Sequence, residues 1–424
     1  MPQDDTLFVT FALMKFEKYH ISPEIKKSLR ELEFKKPTDI QFKSIPPILK
    51  GDDVLAIAQT GTGKTAAFAI PVLSTLQNRV RKNDTGQIRA VVMVPTRELA
   101  VQITDVFKSI GKYSGLEILT VMGGVEQAAQ IDQLQKGVDV LIATPGRVFD
   151  LVNQGHINLR QLEILILDEA DHMLDKGFIK DIRDLIRFLP RKRQTLFFSA
   201  TINETIKELA YSLVHKPVRI QISPKDPVSK NVEHAVAFVD MDDKRFYLER
   251  LIKQYPDKKI LVFVRTKVRA ERVFSAMGRV GLDTATMHGD KEQDDRLAVM
   301  EQFKSGEVNV LIATDVSARG IDIAGVEYVI NYDLPDVAEN YIHRIGRTGR
   351  GRSKGQAVSF CSEEEKPMLA EIEALLDKEV RRMEIKKSEH LETLAISEEI
   401  PNDWRSVLKE IENQENFKPK KKKR

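Results

Sequence analysis

A lysine–threonine pair at the end of a glycine-rich loop is the feature of this sequence best suited to chemistry. The loop follows an apolar run that ends at Ala58, and its residues are Gln59, Thr60, Gly61, Thr62, Gly63, Lys64 and Thr65. Glycines let backbone N–H groups turn towards a phosphate, and a helix beginning after the loop adds its dipole. We expect the segment from Ala58 to Thr65 to bind nucleotide phosphates, with Lys64 neutralising their charge and the Thr65 hydroxyl coordinating Mg²⁺.

The loop departs from the general phosphate-loop pattern at one position. That pattern begins with glycine, where this chain has Ala58. A glycine-rich turn that serves only the geometry of the chain is therefore an alternative interpretation. The spacing of Lys64 and Thr65 favours phosphate binding over this alternative.

An acidic run follows a second apolar segment, as a site that hydrolyses a nucleoside triphosphate would require. The apolar residues 164–167 lead directly into Asp168, Glu169, Ala170 and Asp171. At the end of a strand, Asp168 can hold Mg²⁺ through water, and Glu169 can orient or deprotonate the attacking water. An acidic helix N-terminus, favoured by the dipole, is the alternative. The presence of a phosphate loop makes the chemical interpretation stronger.

A cluster of arginines near the end of the sequence is the third candidate for chemistry. Three arginines and two glycines lie among His343, Arg344, Ile345, Gly346, Arg347, Thr348, Gly349 and Arg350. Cations aimed at a transferring phosphoryl group stabilise the developing charge, and another domain often supplies them. In a helix, Arg347 and Arg350 would project in the same direction. A solvated basic turn is the alternative.

Short apolar runs alternate with helical patterns and predict the elements that position these residues. In the first half, strands are predicted at 54–58, 91–94, 141–143, 164–167 and 195–198. Fully apolar strands separated by helices are typical of a parallel sheet covered on both faces. Ligands of such a sheet lie beyond the carboxyl ends of its strands.

Two segments recur at a constant spacing. Residues 90–97 resemble residues 260–267, and the run 140–144 recurs unchanged at 310–314, so that both pairs are 170 residues apart. One apolar match would carry little weight. Two matches at the same offset, each running into a threonine, indicate two copies of one module.

The duplication leads to a division of the 424 residues, a length that suits two domains. Pro224 and Pro227, among polar residues, predict a linker. We expect an N-terminal extension at 1–15, a first domain at 16–223, a linker at 224–230, a second domain at 231–380 and a charged tail at 381–424.

Composition excludes several classes of protein. Hydrophobic residues make up 42% and charged residues 30%, as in a globular protein. No apolar run reaches the roughly 20 residues that cross a bilayer, and the N-terminus lacks the basic region of a signal peptide. A single cysteine, Cys361, excludes an internal disulfide and a metal site built on several cysteines. We expect a cytoplasmic protein with no membrane partner.

The net charge of +3 depends on the last seven residues, 418–424, which contain five lysines and one arginine. The remainder of the chain therefore sums to −3. This distribution indicates a local nucleic-acid groove, with the tail adding non-specific attraction. A solubilising tail and a nuclear import signal remain alternatives.

Together these motifs resemble the DEAD-box family of ATP-dependent RNA helicases in superfamily 2, with the bacterial RhlE-like branch nearest. The resemblance covers roughly residues 16–365 and takes its name from the run at 168–171. It implies an α/β fold of two tandem RecA-like domains, each a parallel sheet flanked by helices. It also implies RNA-stimulated ATP hydrolysis, coupled to local unwinding of short RNA duplexes or to remodelling of RNA–protein complexes.

The resemblance assigns further nucleotide contacts. Residues 34–41 look like the Q motif, with Gln41 as the adenine reader and Phe16 as the upstream aromatic residue. The family often has glycine where Glu33 stands and proline where Asp39 stands. By resemblance, Asp322 reaches the ribose, whereas Arg347 and Arg350 act as arginine fingers.

The resemblance also implies RNA contacts of little sequence specificity and a coupling motif. The implied RNA-contacting residues are Pro95, Thr96, Arg97, Gly123, Gly124, Thr144, Pro145, Gly146, Arg147, Arg265, Thr266, Gln293, Arg296 and Thr314. The residues implied to couple ATP state to strand separation are Ser199, Ala200, Thr201, Asp171 and His343. Ribosome-assembly or RNA-decay proteins are candidate partners.

Three alternative functions share some of these features. A DNA helicase or translocase could use the same paired domains, and an RNA clamp could bind ATP without unwinding. Lys64, Asp168 and Glu169 favour an active ATPase over a clamp with no hydrolysis. The duplicated second half disfavours a metabolic phosphate-loop kinase.

Ending the chain at Phe417 removes the basic run and tests its role. Each lost phosphate contact lowers the slope of log affinity against log salt by about 0.7 for a single strand. We predict weaker RNA binding and a shallower salt dependence, measured by fluorescence anisotropy with a labelled single strand. Unchanged affinity at low salt would instead identify the run as a solubility or targeting element.

Overall fold

The computed structural model describes residues 15–59, 61–78, 87–222, 228–315, 325–349 and 353–383. Within these residues the chain forms two parallel sheets of seven strands each. The first sheet contains β1 (Val54–Ala58), β2 (Ala90–Met93), β3 (Ile118–Val121), β4 (Val140–Ala143), β5 (Ile164–Leu167), β6 (Gln194–Ser199) and β7 (Val218–Ile222). The second contains β8 (Val232–Phe238), β9 (Ile260–Val264), β10 (Ala285–Met287), β11 (Val310–Thr314), β12 (Tyr328–Asn331), β13 (Gly355–Cys361) and β14 (Arg381–Arg382).

Helices connect the strands of each sheet, which together form a first and a second lobe. The first lobe contains α1 (Pro23–Glu31), α2 (Asp39–Lys50), α3 (Lys64–Asn78), α4 (Arg97–Ile110), α5 (Gln127–Gln135), α6 (Pro145–Asn153), α7 (Ala170–Asp175), α8 (Ile179–Ile186) and α9 (Glu204–Leu213). The second contains α10 (Lys244–Gln254), α11 (Lys267–Arg279), α12 (Gln293–Ser305), α13 (Ala338–Ile345) and α14 (Lys366–Leu376). Short 3₁₀ turns lie at Phe16–Lys18 and Glu363–Glu365.

The second sheet repeats the first strand for strand. The first has the order β3-β4-β2-β5-β6-β1-β7, and the second has the order β10-β11-β9-β12-β13-β8-β14. The recurring sequence segments form adjacent strands in both, with Ala90 opposite Val140 and Ile260 opposite Val310. The duplication inferred from the constant offset is therefore present in the fold.

Both faces of each sheet are buried, which explains the continuous apolar strands. In β5, Ile164 and Ile166 belong to one hydrophobic cluster, whereas Leu165 and Leu167 belong to the cluster on the opposite face. Burial of such a side chain contributes about 1.5–3 kcal/mol. A strand with apolar residues on one face only would leave the other layer of helices without a partner.

The expected boundary of the second domain falls before the last strand of its sheet. The linker expected at 224–230 lies between β7 and β8, although residues 223–227 are outside the described residues. The second sheet continues past the expected limit of 380, because β14 pairs with β8. The N-terminal extension (apart from residue 15) and the basic tail also lie outside the described residues.

The two departures from the Q-motif pattern have simple structural consequences. Glu33 adopts a φ of 56°, in the left-handed region that glycine occupies without strain. For another residue this conformation costs about 1–2 kcal/mol. Asp39 is the first residue of α2, where proline fits and where an acidic side chain is favoured by the helix dipole.

A fully buried ion cluster stands at the start of α10. The Lys244 Nζ donates to the Tyr332 carbonyl oxygen at 2.8 Å and to a Glu365 carboxylate oxygen at 2.5 Å. The Asp333 carboxylate is 3.7 Å from the same nitrogen. Lys244 begins the helix after β8, just as Lys64 begins the helix after β1. Carboxylates of the second lobe itself thus neutralise the charge of Lys244.

Replacing Lys244 by methionine should destabilise the second lobe, because Glu365 and Asp333 lose the fully buried cation that they share and keep only the partly exposed Arg265 and Arg269. Removal of one partner from a buried ion pair costs about 3–5 kcal/mol. Urea unfolding measures the change. Lys253→Met, in the same helix, is the control, because the Lys253 side chain is 55% exposed. Equal losses in the two variants would contradict the role of the cluster.

Candidate nucleotide site and nucleic-acid interface

The glycine-rich loop lies between β1 and α3, at the carboxyl edge of the first sheet. Gly61 and Gly63 have φ values of 79° and 90°, which only glycine adopts readily. A Cβ atom at Gly63 would also lie 2.6 Å from the Gln41 side chain. The glycines are therefore required by backbone conformation and by close packing, and α3 then begins at Lys64.

Lys64 carries a buried charge with no hydrogen-bonded partner among the described residues. It is 6% exposed, and within the part of the chain that the structure describes its Nζ has no hydrogen-bond partner. Its positive charge lowers the pKa of the Asp168 and Glu169 carboxyl groups. A desolvated ammonium group without a partner is costly, and a phosphate at this position would supply the missing acceptors. The loop therefore fits a nucleotide phosphate.

Asp168 and Glu169 follow β5 and are both buried. Burial raises the pKa of Asp168 to about 6, against the opposing charge of Lys64. Burial also raises the pKa of Glu169, but the charge and hydrogen bond of His172 outweigh it. With further contributions from Lys64 and Arg347, the pKa of Glu169 is held well below its usual range. Glu169 is therefore ionised at neutral pH.

Thr65 and Asp168 provide a ligand set that fits Mg²⁺. A hydroxyl and a carboxylate are hard oxygen ligands, and Mg²⁺ is commonly bound by one or two such groups together with water and substrate phosphates. Among the described residues, no group of three or more His, Cys, Asp or Glu side chains could hold a metal ion without a substrate.

A cavity of about 500 Å³ adjoins the loop and is lined by both lobes. The first lobe contributes Thr38, Asp39, Ile40, Gln59, Gly61, Thr62 and Ile222. The second contributes Val228, Ser229, Asn231, Val232, Ile342, His343, Ile345, Gly346, Thr348 and Gly349. A volume of this size suits a small-molecule ligand.

Gln41 and Phe16, the two residues expected to contact the base, have different surroundings in the first lobe. Gln41 accepts from the Thr38 backbone N–H at 3.0 Å and donates to the Gly63 carbonyl at 3.1 Å, which leaves one N–H and one lone pair for a base. Phe16 does not line the cavity. Its buried ring packs 6.2 Å from Tyr19 and 6.0 Å from Phe34. Its assignment as a nucleotide contact remains a prediction from the resemblance.

The arginines of the second lobe have different surroundings. Arg344 is internal, with a bidentate pair to Asp315 at 2.6 and 2.7 Å. Arg347 is buried and its charge acts on Glu169 of the first lobe. Because α13 ends at Ile345, the expected helical spacing of Arg347 and Arg350 does not apply. The sequence pattern identified the cluster but not this division of roles.

The end of the acidic run is tied to the segment after β6. The Asp171 carboxylate accepts from the Ala200 and Thr201 backbone N–H groups at 3.1 and 2.9 Å, and from the Thr201 hydroxyl at 3.1 Å. The Ser199 hydroxyl donates to the Thr201 carbonyl at 2.7 Å. The structure thus brings together the first-lobe residues that were expected to couple nucleotide state to strand separation.

The expected RNA contacts lie at corresponding places in the two lobes. Thr96 caps α4 and Thr266 caps α11, and each side chain accepts a hydrogen bond from a backbone N–H at 3.2 Å. These caps fix the turns that contain Pro95 and Arg265, respectively. Pro145 and Gly146 open α6 after Thr144, and Thr314 ends β11. The Arg265 guanidinium group forms an intramolecular contact, donating to the Glu365 carboxylate at 2.9 Å.

Arg97 packs on the glycine pair of the first lobe. A Cβ atom added at Gly124 would overlap the Arg97 guanidinium group, and one added at Gly123 would lie 3.7 Å from an Arg97 guanidinium nitrogen. Gly124 has a φ of 77°. Arg147 reaches the next residue, donating to the Val125 carbonyl at 3.5 Å. The glycines therefore provide the space in which Arg97 lies.

A hydrogen-bonded network joins the lobes beside Arg97. Arg97 donates to the Gln293 side chain at 3.1 Å, and Gln293 donates to Glu98 at 3.2 Å. Arg296 lies 2.9 Å from the same Glu98 carboxylate. Glu98 belongs to the segment that resembles an RNA-contacting motif, next to Arg97, but its contacts with the second lobe could not be predicted from the sequence. Two groups of expected RNA contacts thus meet across the interface.

Three of the expected site residues, Thr60, Asp322 and Arg350, lie outside the described residues. The same holds for residues 316–321 of the motif that follows Thr314 and Asp315. Their assignments remain predictions from the sequence.

Known proteins share both the sequence and this arrangement. The profile of the DEAD/DEAH box helicases matches residues 38–209, and that of the helicase conserved C-terminal domain matches residues 243–352. The ATP-dependent RNA helicase RhlB of Shewanella frigidimarina is 43% identical over 368 residues, covering 86% of this chain and 85% of that protein. The chain belongs to the DEAD/DEAH box helicase family.

A second DEAD-box relative, the ATP-dependent RNA helicase RhlB of Shewanella amazonensis, is 43% identical over 354 residues. The match covers 82% of this chain and 81% of that protein. The family prediction is confirmed. These relatives carry the name RhlB, so they do not support the expected RhlE-like branch.

Solved DEAD-box structures share the two-lobe fold. Dbp5 of S. cerevisiae bound to RNA and ADP BeF3 has a TM-score of 0.78 and 31% identity, covering 94% of this chain and 99% of that one. Mss116 bound to ssRNA and UDP-BeF has a TM-score of 0.81 and 29% identity, covering 90% and 81%. The predicted tandem RecA-like fold is confirmed. No helix in the described part of this DEAD-box chain is long and apolar enough to cross a membrane.

Gly124→Ala should weaken RNA binding by roughly tenfold, the loss expected when one charge-assisted contact is displaced. The added methyl group would push the Arg97 guanidinium from its position. The RNA concentration for half-maximal ATPase stimulation measures the effect. Gly155→Ala is the matched control, because its φ of 78° imposes the same strain and nothing lies within 4 Å of the added Cβ. An equal effect of both substitutions would contradict the account.

Proposed function

We propose that this chain is an ATP-dependent RNA helicase, in which RNA-stimulated ATP hydrolysis opens short RNA duplexes locally or remodels RNA–protein complexes. The observation that carries the proposal is the division of the site between the lobes. Lys64, Asp168 and Glu169 belong to the first lobe, whereas the charge of Arg347 reaches Glu169 from the second. Hydrolysis therefore requires the lobes to be together.

The first lobe would bind the nucleotide and orient water. Lys64 and the loop amides hold the phosphates, and Gln41 presents its remaining N–H and lone pair to the base. Thr65 and Asp168 would hold Mg²⁺, which neutralises phosphate charge when bound. Because the pKa of Glu169 is lowered, its carboxylate is a weak base. Its role is to orient the attacking water by accepting a hydrogen bond.

The second lobe would complete the site with Arg347, as an arginine finger that stabilises charge on the transferring phosphoryl group. RNA favours this arrangement because its contacts are also divided. Arg97 of the first lobe and Gln293 and Arg296 of the second lie in one network. An RNA strand lying along both groups binds the closed arrangement more tightly, which is sufficient to shift the equilibrium towards it.

Strand separation would follow from the shape of the closed groove. An RNA strand held across both lobes must follow the protein surface. A duplex bound there loses base pairs where the path of this strand differs from its path in a regular duplex. Release after hydrolysis removes the phosphate that joins Lys64 to Arg347. This cycle opens a few base pairs per event and requires no sustained travel along the strand.

RNA rather than DNA is the proposed substrate because the similar helicases RhlB are named for RNA, and because Dbp5 and Mss116 are bound to RNA or ssRNA. Discrimination would depend on 2′-hydroxyl contacts. We also propose a cytoplasmic location, consistent with the single buried thiol of Cys361. Ribosome-assembly or RNA-decay proteins are proposed partners.

Arg347→Ala should lower the RNA-saturated rate of ATP hydrolysis by roughly 10³-fold, the contribution expected of an arginine finger. Nucleotide affinity in the absence of RNA should change little, because the phosphate loop is intact. A coupled ATPase assay measures the rate. Arg187→Ala, at a side chain that is 79% exposed, is the control. A normal RNA-saturated rate in the Arg347 variant would mean that the second lobe does not complete the site.

Matched RNA and DNA single strands separate the RNA proposal from a DNA helicase. We predict that RNA stimulates ATP hydrolysis and that DNA of the same sequence and length stimulates it at least tenfold less. Glu169→Gln is the negative control for hydrolysis. Equal stimulation by both strands would overturn RNA as the specific substrate while leaving the ATP site intact.

A further inference from the structure

His172 is a buried side chain for which the proposed reaction has no use. It lies in α7, one turn after Glu169. Its Nδ1 is 2.9 Å from a Glu169 carboxylate oxygen, Oε2, and both side chains are less than one-tenth exposed. An ionised carboxylate only accepts hydrogen bonds, so the imidazole Nδ1 is the donor.

The same imidazole ring contacts the second lobe. The ring centroids of His172 and His343 are 5.1 Å apart, and their planes meet at 86°. An edge-to-face arrangement at this distance is favourable for aromatic rings. His343 belongs to α13, which leads into Arg347. His172 therefore touches the water-orienting carboxylate on one side and the lobe that completes the site on the other.

We propose that His172 is a positioning residue, which fixes the Glu169 carboxylate for hydrolysis and makes its orientation depend on contact between the lobes. The inference rests on the proposed function, because it assumes that Glu169 orients the attacking water. It concerns a residue outside the acidic motif itself.

The geometry gives a reason why Glu169 needs such support. Its backbone is held at a φ of 52°, and its N–H donates to the Asp168 carboxylate at 3.0 Å, so the main chain is fixed. The side chain still has three rotatable bonds. The hydrogen bond to His172 holds Oε2 and leaves Oε1 for water. A displacement of about 1 Å at a reacting group can cost as much as a hundredfold in rate.

The contact with His343 adds a dependence on the second lobe. When the lobes separate, the His172 ring loses its edge-to-face neighbour and gains freedom to rotate. The Glu169 carboxylate then loses its fixed partner. Futile hydrolysis by the open protein would be suppressed by this loss, in addition to the absence of Arg347.

Two substitutions of His172 in the full chain separate its hydrogen bond from its ring. His172→Phe retains an aromatic ring against His343 but cannot donate to Glu169. His172→Asn retains an N–H donor close to the position of Nδ1. We expect the phenylalanine variant to lose roughly tenfold to a hundredfold in kcat at saturating RNA, the effect of one hydrogen bond to a charged group, with KM for ATP unchanged. The asparagine variant should recover most of this kcat.

A double-mutant cycle with Glu169→Gln tests whether His172 acts through Glu169. We expect His172→Phe to add no further loss in the Glu169→Gln background. A normal kcat in the phenylalanine variant would overturn the inference, as would equal losses in both His172 variants accompanied by a lowered melting temperature. Failure of RNA to stimulate the wild-type protein would instead overturn the proposed function, so the two failures are distinguishable.

Discussion

A lysine ammonium group removed from water needs an anionic partner, and the two lobes meet this need in opposite ways. Lys64 and Lys244 each begin the helix after the corresponding strand of equivalent sheets. Lys244 is neutralised by Glu365 and Asp333. Lys64 has no hydrogen-bond partner in the part of the chain that the structure describes. In the second lobe the lysine is therefore part of an internal ion cluster, whereas in the first lobe it can still bind a phosphate.

The remaining features follow from this asymmetry. Lys64 alone does not neutralise the negative charge of bound nucleotide phosphates, so the site would gain from a cation of the second lobe. Arg347 is the proposed cation. In the proposed mechanism the second lobe recognises the closed arrangement, through Arg347 at the ATP site and through Gln293 and Arg296 at the RNA groove. Glu98 links the groove contacts of the two lobes.

The fold could be predicted from the sequence almost completely, because continuous apolar strands and a constant repeat offset depend on local pattern alone. The first-lobe motifs at Lys64, Asp168 and Asp171 were also accessible, since each follows directly from a strand. Contacts across the lobes were not. Glu98 contacts Gln293 and His172 contacts His343, partners about 170 to 200 positions away in the chain, and no local pattern reports such proximity. The burial of Phe16 against Tyr19 and Phe34 was not predictable either, because a sequence cannot distinguish an exposed ring from a buried one.

The stoichiometry of nucleotide binding tests the central claim most directly. Titration calorimetry of the full chain with a non-hydrolysable ATP analogue, Mg²⁺ and saturating RNA should give one equivalent per chain. Lys64→Met should abolish this binding, whereas Lys244→Met, where folded, should retain one equivalent. Two equivalents in the wild-type protein, or one equivalent that survives Lys64→Met, would contradict the assignment of the open phosphate position to the first lobe.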